Sequence, residues 1–404
     1  MDPARAIYED VRIWPSFPEP IPPQRILQGL DGADRDFIAA IYEVSAALYE
    51  GLPRRRNGQA AFTHPTNVAL FLIRARAQPH VVAAGLLHDV LEDRLDLERG
   101  QNRWSAEESD RMERAIRGQF AEVLIQTSAR LGFPRDIAER VVEVVWTLTR
   151  HKADMYYKSI SGIFNHPDSS VRRAAALVKL ADRMHNIQTI ENYDGEEQIY
   201  QCFKNIFILN NAKQMRSELA EQRVDPRMTQ SLEKMFKKCG KATYQALLRI
   251  DHAQSADSRL FPILTILSLA LRKFVMEVNG LWTVTQARLE PGVPVFHLYH
   301  GIIKKYDHRL HHEHSRFQAL VERELNYCRA TFEDLGLSDE ELRRSLQQKD
   351  AMALKEVVAS LLYREDYIIR GFQCSQICRR NQNCLKAERS NGCDHEAISD
   401  DDTN

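Results

Sequence analysis

Ala83-Ala84-Gly85-Leu86-Leu87-His88-Asp89-Val90-Leu91-Glu92-Asp93 sets a His-Asp pair and a Glu-Asp pair into one short apolar segment. Read as a single helix, Ala83, Leu86, Leu87, Val90 and Leu91 recur at offsets 0, 3, 4, 7 and 8 and form a core-facing stripe. His88 and Glu92 then stand four apart, as do Asp89 and Asp93, so each pair shares a face. One imidazole and three carboxylates on the shoulder of a buried helix are costly unless a cation joins them. A divalent metal is the economical resolution, and a solvated charged face is the alternative.

The chain has 404 residues, enough for a large core and more than one domain. Its 27% of charged residues nearly cancel to a formal net charge of −1, which gives no sign of a nucleic-acid or membrane-surface binder. The opening Met1-Asp2-Pro3-Ala4-Arg5 lacks a secretory pattern, and the longest apolar run, from Leu260 to Leu271, is too short to span a bilayer. The cysteines number seven, and Cys202, Cys239 and Cys328 are scattered singly. That suits a reducing, cytoplasmic setting better than a disulfide framework.

Residues 1–30, with Pro15, Pro18, Pro20, Pro22 and Pro23, predict an extended lead-in lying on the domain. Helical spacing then runs from Asp31 to Gly51-Leu52-Pro53, and a basic turn follows, Arg54-Arg55-Arg56-Asn57-Gly58-Gln59. The next helix places Thr63 or His64 at its N-cap and Pro65 near its first position. The charged stretch 94–115 predicts a surface helix and loop. Further helices are expected over 120–131, 137–148, 155–164 and 169–190, and beyond them over 200–222, 228–250, 260–278, 314–335 and 338–369. The stretch 282–306, with the turn Glu290-Pro291-Gly292-Val293-Pro294, has room for a short strand or two. No strong strand pattern and no internal repeat stands out. The expected class is all-α: a helical bundle over 31–195, a mostly helical region over 196–370 through which copies could associate, and a disordered, acidic, cysteine-bearing tail over 371–404.

Four features fit one metal site. His64 begins a helix, His88 and Asp89 are adjacent, and Asp182 lies in a helix far along the chain. Two imidazoles and two carboxylates, without thiolates, suit Mn²⁺ or Fe²⁺, and Zn²⁺ less comfortably. Such an ion leaves room for a water and a phosphate oxygen. Glu92 and Asp93, one turn on, are placed to hold or deprotonate that water. Asp182, His185, Asn186 and Thr189 share one helix face, so one helix brings a ligand and polar substrate contacts to the same place. Arg54, Arg55 and Arg56 are able to neutralise phosphates or stack on a base.

This order of motifs, His64, His88-Asp89, Glu92-Asp93 and Leu180-Ala181-Asp182-Arg183-Met184-His185-Asn186, resembles the HD-domain superfamily of metal-dependent phosphohydrolases. It is most similar to the branch of RelA/SpoT-type hydrolase domains and small alarmone hydrolases, over roughly residues 30–195. The resemblance implies an HD-domain helical bundle. It implies metal ligation by His64, His88, Asp89 and Asp182, usually of one Mn²⁺, and catalysis by Glu92 and Asp93. It also implies nucleotide contacts from Arg55, Asn186 and Thr189, with Arg56 beside them, and removal of pyrophosphate from the 3′ position of (p)ppGpp. Another phosphorylated nucleotide, such as NADPH or a phosphodiester, and a nucleotide-sensing role with a helical output region are the alternatives. At the turn, Gln59, Ala60 and Ala61 replace the family's Glu, Pro and Tyr.

Two further clusters have other readings. His308, His311, His312 and His314 form a solvated helix start or a metal site, the former being favoured. Cys374, Cys378, Cys384 and Cys393, with His395, lack a CxxC pair and read as free thiols ahead of a zinc or iron–sulfur site.

Overall fold

The computed structural model describes residues 12–100, 104–150, 156–220, 225–254, 299–331, 333 and 336–369, and every regular element among them is helical. In chain order these are α1 (Pro23–Ile26), α2 (Gly32–Tyr49), α3 (Thr63–Ala75), α4 (Pro79–Leu87), α5 (Val90–Arg99), α6 (Ala106–Arg130), α7 (Arg135–Leu148), α8 (Tyr156–Phe164) and α9 (Ser169–Gln188). After a 3-10 turn at Ile190–Asn192 come α10 (Gly195–Ala220), α11 (Pro226–Gln254), α12 (His300–Leu310), α13 (His314–Thr331) and α14 (Asp339–Tyr363). No helix among the described residues is long and apolar enough to cross a membrane.

The lead-in is extended from residue 12 up to the four-residue α1, and it lies on α3. The Phe17 amide donates to Asn67 Oδ1 (2.8 Å), the Ile21 amide to Thr66 Oγ1 (3.1 Å), and the Trp14 ring stacks on Phe71. These bonds satisfy a strand-like backbone that has no sheet partner. Phe62 holds the N-cap position of α3, one residue before Thr63 and two before His64, the expected caps.

The continuous helix expected over 83–93 is instead two. α4 stops at Leu87, and α5 starts at Val90. The cause is His88, whose Nδ1 reaches the Gly85 carbonyl at 2.9 Å. In an unbroken helix that carbonyl would take the Asp89 amide. Asp89 turns to φ −96°, ψ −9° and becomes the N-cap residue of α5. His88 and Asp89 therefore form the break between the two helices, and Glu92 and Asp93 lie beyond it in the first turn of α5.

The charged stretch also differs from expectation. α5 runs on to Arg99, and α6 begins at Ala106, well before residue 120. Ser105 and Glu108 form a reciprocal capping box there, the Ser-x-x-Glu pattern that starts a helix regardless of how polar the following turns are. Residues 300–306, where a strand was allowed, belong to α12. The histidine cluster marks the end of α12 as well as the start of α13: His311 is the α12 C-cap residue, and His308 binds Glu313. The expected helix at 260–278, the turn at 290–294, the tail and its Cys374, Cys378, Cys384 and Cys393 lie outside the described residues.

α3, α4 and α9 pack on one another, and α11 packs on α9, α3, α10 and α14. Helices on both sides of residue 195 thus line one hydrophobic core. Gly85 is what lets α4 approach α3. A Cβ built there would stand 2.4 Å from Leu72 Cδ1 and 3.4 Å from Val68 Cγ1, both on fully buried side chains. Gly85→Ala is expected to overpack this contact and lower stability by roughly 1–3 kcal/mol in denaturant unfolding. The additional change Leu72→Ala should reduce the cost of the glycine substitution; an unchanged cost in that background would show that the contact is not limiting.

Candidate metal centre

Three stretches far apart in the chain meet at one imidazole nitrogen. His64 is the second residue of α3 and is fully buried. Its Nε2 lies 3.1 Å from His88 Nε2, 3.2 Å from Asp182 Oδ1 on α9, and 3.5 Å from Asp89 Oδ2. Asp89 Oδ1 is 3.2 Å from His88 Nε2. Donor atoms of His64, His88 and Asp182 all fall within 4.8 Å of one another. Ligands about 2.1 Å from a common ion are separated by up to roughly 4.3 Å, so this spacing fits a single divalent cation with small adjustment. Asp89 closes the cluster on the solvent side, its side chain 31% exposed.

The protonation states suit a cation. The His88 ring bonds the Gly85 carbonyl through Nδ1, which turns Nε2 toward the cluster. His64 is held well below the ordinary histidine range by burial and then by the Arg55 guanidinium, against the pull of Asp182. Burial alone would raise Asp182. The Lys179 ammonium, donating to Oδ2 at 2.8 Å, and His64 overcome it and hold the carboxyl well below the carboxylate range. A neutral His64 imidazole and an ionised buried Asp182 carboxylate are what a metal with mixed nitrogen and oxygen ligands requires.

The surrounding groups fix these side chains. His185 Nδ1 lies 2.8 Å from His64 Nδ1, so it orients that ring and is turned away from the ligand cluster. His185 Nε2 is buried and has no hydrogen-bond partner. Asn186 Nδ2 donates to Asp182 Oδ1 (2.5 Å), and its Oδ1 accepts from Arg55 (3.2 Å). Arg55 is aimed by its turn: the Arg55 amide bonds the Gln59 carbonyl, the Gly58 amide bonds the Arg55 carbonyl, and Gly58 adopts φ +80°. The guanidinium then reaches 3.8 Å from Asp89 Oδ2.

Arg54 donates instead to the Gly58 carbonyl. Arg56 lies over the Tyr193 ring at 4.9 Å. Thr189 is the C-cap residue of α9, and its hydroxyl turns back to the carbonyls of His185 and Asn186 at 3.4 Å. The structure thus brings Arg55 and Asn186 to the cluster and keeps Arg56 and Thr189 outside it. Glu92 and Asp93 occupy the first turn of α5. Burial, then Asp89, against Arg55, pushes Asp93 up to about 7.

No family model matches the chain. Over 159 residues, 37% of its length, the chain is 29% identical to a probable guanosine-3′,5′-bis(diphosphate) 3′-pyrophosphohydrolase of Mycoplasma pneumoniae, covering 18% of that protein. A protein of the same description from Mycoplasma genitalium is 26% identical over 183 residues, 43% of this chain and 21% of the relative. A GTP pyrophosphokinase of Myxococcus xanthus is 26% identical over 189 residues, 47% of this chain and 22% of the relative. These matches support a RelA/SpoT-like HD hydrolase family. The chain spans about a fifth of the length of these RelA/SpoT-like relatives.

Sequence reasoning missed Lys179 as the counter-charge of Asp182, although its i, i+3 spacing on a helix is a readable signal. It placed His185 near the site without its contact to His64, which joins residues 121 apart. His185→Phe keeps an aromatic ring there and removes that contact; metal affinity measured by titration should fall about 10–100-fold. Unchanged affinity would mean that the ring of His64 is oriented without it.

Asp93 generates a pH dependence. Its carboxyl titrates at about 7 in the fold and near ~4 in an unfolded chain. Folded, metal-free protein therefore binds more protons than unfolded protein between those values, and stability falls as pH rises through that window. The melting temperature of chelator-treated protein should drop between about pH 5 and pH 7, and Asp93→Asn should flatten the drop. Parallel curves for the two proteins would contradict this assignment.

Proposed function

We propose that this chain is a metal-dependent phosphohydrolase acting on a nucleotide, and specifically an alarmone hydrolase that releases pyrophosphate from the 3′ position of guanosine 3′,5′-bis(diphosphate). The observation that carries the reading is the meeting of His88 Nε2, Asp182 Oδ1 and Asp89 Oδ2 around His64 Nε2, with the Arg55 guanidinium at the rim. The activity for which two relatives are named suggests the substrate class. A mixed imidazole and carboxylate set favours one Mn²⁺ over a thiolate-seeking metal. The buried, unpaired Cys202, Cys239 and Cys328 accord with a cytoplasmic setting.

His64, His88, Asp89 and Asp182 would hold the ion. When bound, it polarises the phosphoryl group and lowers the pKa of water in the site. Arg55 binds non-bridging phosphate oxygens as a fork of N–H donors. Asn186 keeps that guanidinium and Asp182 in register by bonding both. Asp93, titrating near neutrality, takes a proton from the attacking water. The water oxygen bonds to the phosphorus, the bond from phosphorus to the ribose 3′ oxygen breaks, and the 3′ oxygen collects the proton as pyrophosphate leaves. Glu92, beside Asp93, orients the water.

A nucleotide panel assayed with Mn²⁺ tests the reading. Pyrophosphate is expected from guanosine 3′,5′-bis(diphosphate), in preference to orthophosphate from NADPH or turnover of a cyclic dinucleotide. Asp93→Asn should retain metal and lose about 10²–10⁴-fold in kcat. Asp182→Ala should lose both metal and turnover. Metal-dependent activity retained in Asp182→Ala would overturn the ligand assignment, and tight binding without turnover by the metal-loaded wild type would instead indicate a sensor.

A further inference from the structure

A second concentration of charge lies beside the metal-bearing helix, and it is cationic. Arg183 follows Asp182 on α9 and turns toward α10, where its acceptors are neutral: Asn205 Oδ1 at 2.6 Å, and the Gln201 carbonyl and Oε1 at 3.1 Å. Lys204 of α10 places Nζ over the Tyr156 ring (4.9 Å) and the Tyr200 ring (4.5 Å). Arg309 of α12 covers Tyr200 at 4.2 Å and pairs with Glu196 (3.1 Å) and Glu197 (2.6 Å). Those two carboxylates are engaged by Arg309, and among the described residues no carboxylate stands within ion-pair distance of Lys204.

Three polar groups here lack what they need. The Tyr156 hydroxyl and Arg150 Nε are buried and have no hydrogen-bond partner. Lys204 is pushed down to about 7 by burial, then by Arg183, Arg309 and Arg150, with Glu197 opposing. His312 stands at the edge in a left-handed conformation, φ +60°, and burial, His314, Lys204 and Arg150 lower its affinity for a proton. Every unsatisfied group in the set is a donor or a cation. A half-buried cluster in which, among the described residues, cations outnumber acids is stabilised by an anion that accepts hydrogen bonds.

We propose that Lys204, Arg150 and the Tyr156 hydroxyl form a second anion site, beside the metal-bearing helix α9, that takes a phosphate group. A phosphate dianion matches an excess of more than one positive charge better than a carboxylate does. Its oxygens accept from Nζ, the guanidinium and the hydroxyl together, while the rings of Tyr156 and Tyr200 wall the site. Inorganic phosphate, pyrophosphate and a nucleotide-borne phosphate share this chemistry. The site does not depend on which nucleotide the metal centre hydrolyses.

Amine labelling of the full chain with acetic anhydride, read by mass spectrometry, tests the proposal. The rate at Lys204 is compared with that at Lys237, a half-exposed lysine of α11 paired with Glu233, with inorganic phosphate, pyrophosphate and guanosine monophosphate as separate probes. At ten times its Kd, a phosphate probe should slow labelling of Lys204 about tenfold by mass action and leave Lys237 unchanged. The most effective probe identifies the source of the phosphate. Arg150→Met should abolish the protection. Equal protection of Lys204 and Lys237, or protection undiminished in Arg150→Met, would overturn the site. If that variant does not fold, the wild-type comparison of the two lysines decides alone.

Discussion

Asp182 must stay ionised where water does not reach it, and much of the metal centre is arranged to offset that cost. The carboxylate loses hydration on burial, and three neighbours replace it: Lys179 on Oδ2, and Asn186 and His64 on Oδ1. The same burial acts oppositely on the imidazoles. His64 is driven neutral, and His185 falls to about 3, through burial and then Arg55. One environment therefore yields an ionised carboxylate beside neutral imidazoles, the charge states that a divalent-metal site draws on.

Backbone packing delivers these groups to one point. α3 carries His64, the corner between α4 and α5 carries His88 and Asp89, and α9 carries Asp182. The absent Cβ of Gly85 sets how close α3 and α4 come. The lead-in and the later helices hold this arrangement from outside. Gln188 donates to the Trp14 carbonyl at 2.9 Å, and Arg227 on α11 donates to the carbonyls of Arg76 and Ala77 just after α3 (2.9 and 3.0 Å). Helices beyond residue 195 thus act on the site's geometry through α11, which packs on both ligand-bearing helices α3 and α9.

The region beyond residue 195 treats buried charge in two ways. Lys305 and Lys349 are enclosed with Glu324 and Asp350, joined at 2.6–3.2 Å, and Tyr306 donates to Asp350. Cations and anions balance there, and the cluster behaves as a structural node whose members would each be costly to remove alone. Around Lys204, among the described residues, the cations outnumber the acids, and the Tyr156 hydroxyl and Arg150 Nε have no hydrogen-bond partner. That contrast within one set of helices separates a framework cluster from a site with capacity for a ligand.

Sequence alone determined the helical class, because apolar periodicity, proline placement and the absence of alternating segments are local properties. It also singled out His64, His88, Asp89 and Asp182, since the excess of acids on an apolar stretch and the ordered motifs are legible without coordinates. The Ser105–Glu108 capping box and the Lys179–Asp182 spacing were legible as well, within three residues of sequence. Only the tertiary structure decided that His88 breaks its helix, because the ring competes with the Asp89 amide for one carbonyl. It also decided that Arg55 and not Arg56 turns to the cluster, that His185 serves His64, and that Lys204 lies between two tyrosines. Each of these depends on which surfaces meet across the core, and helical periodicity specifies a face without specifying its partner.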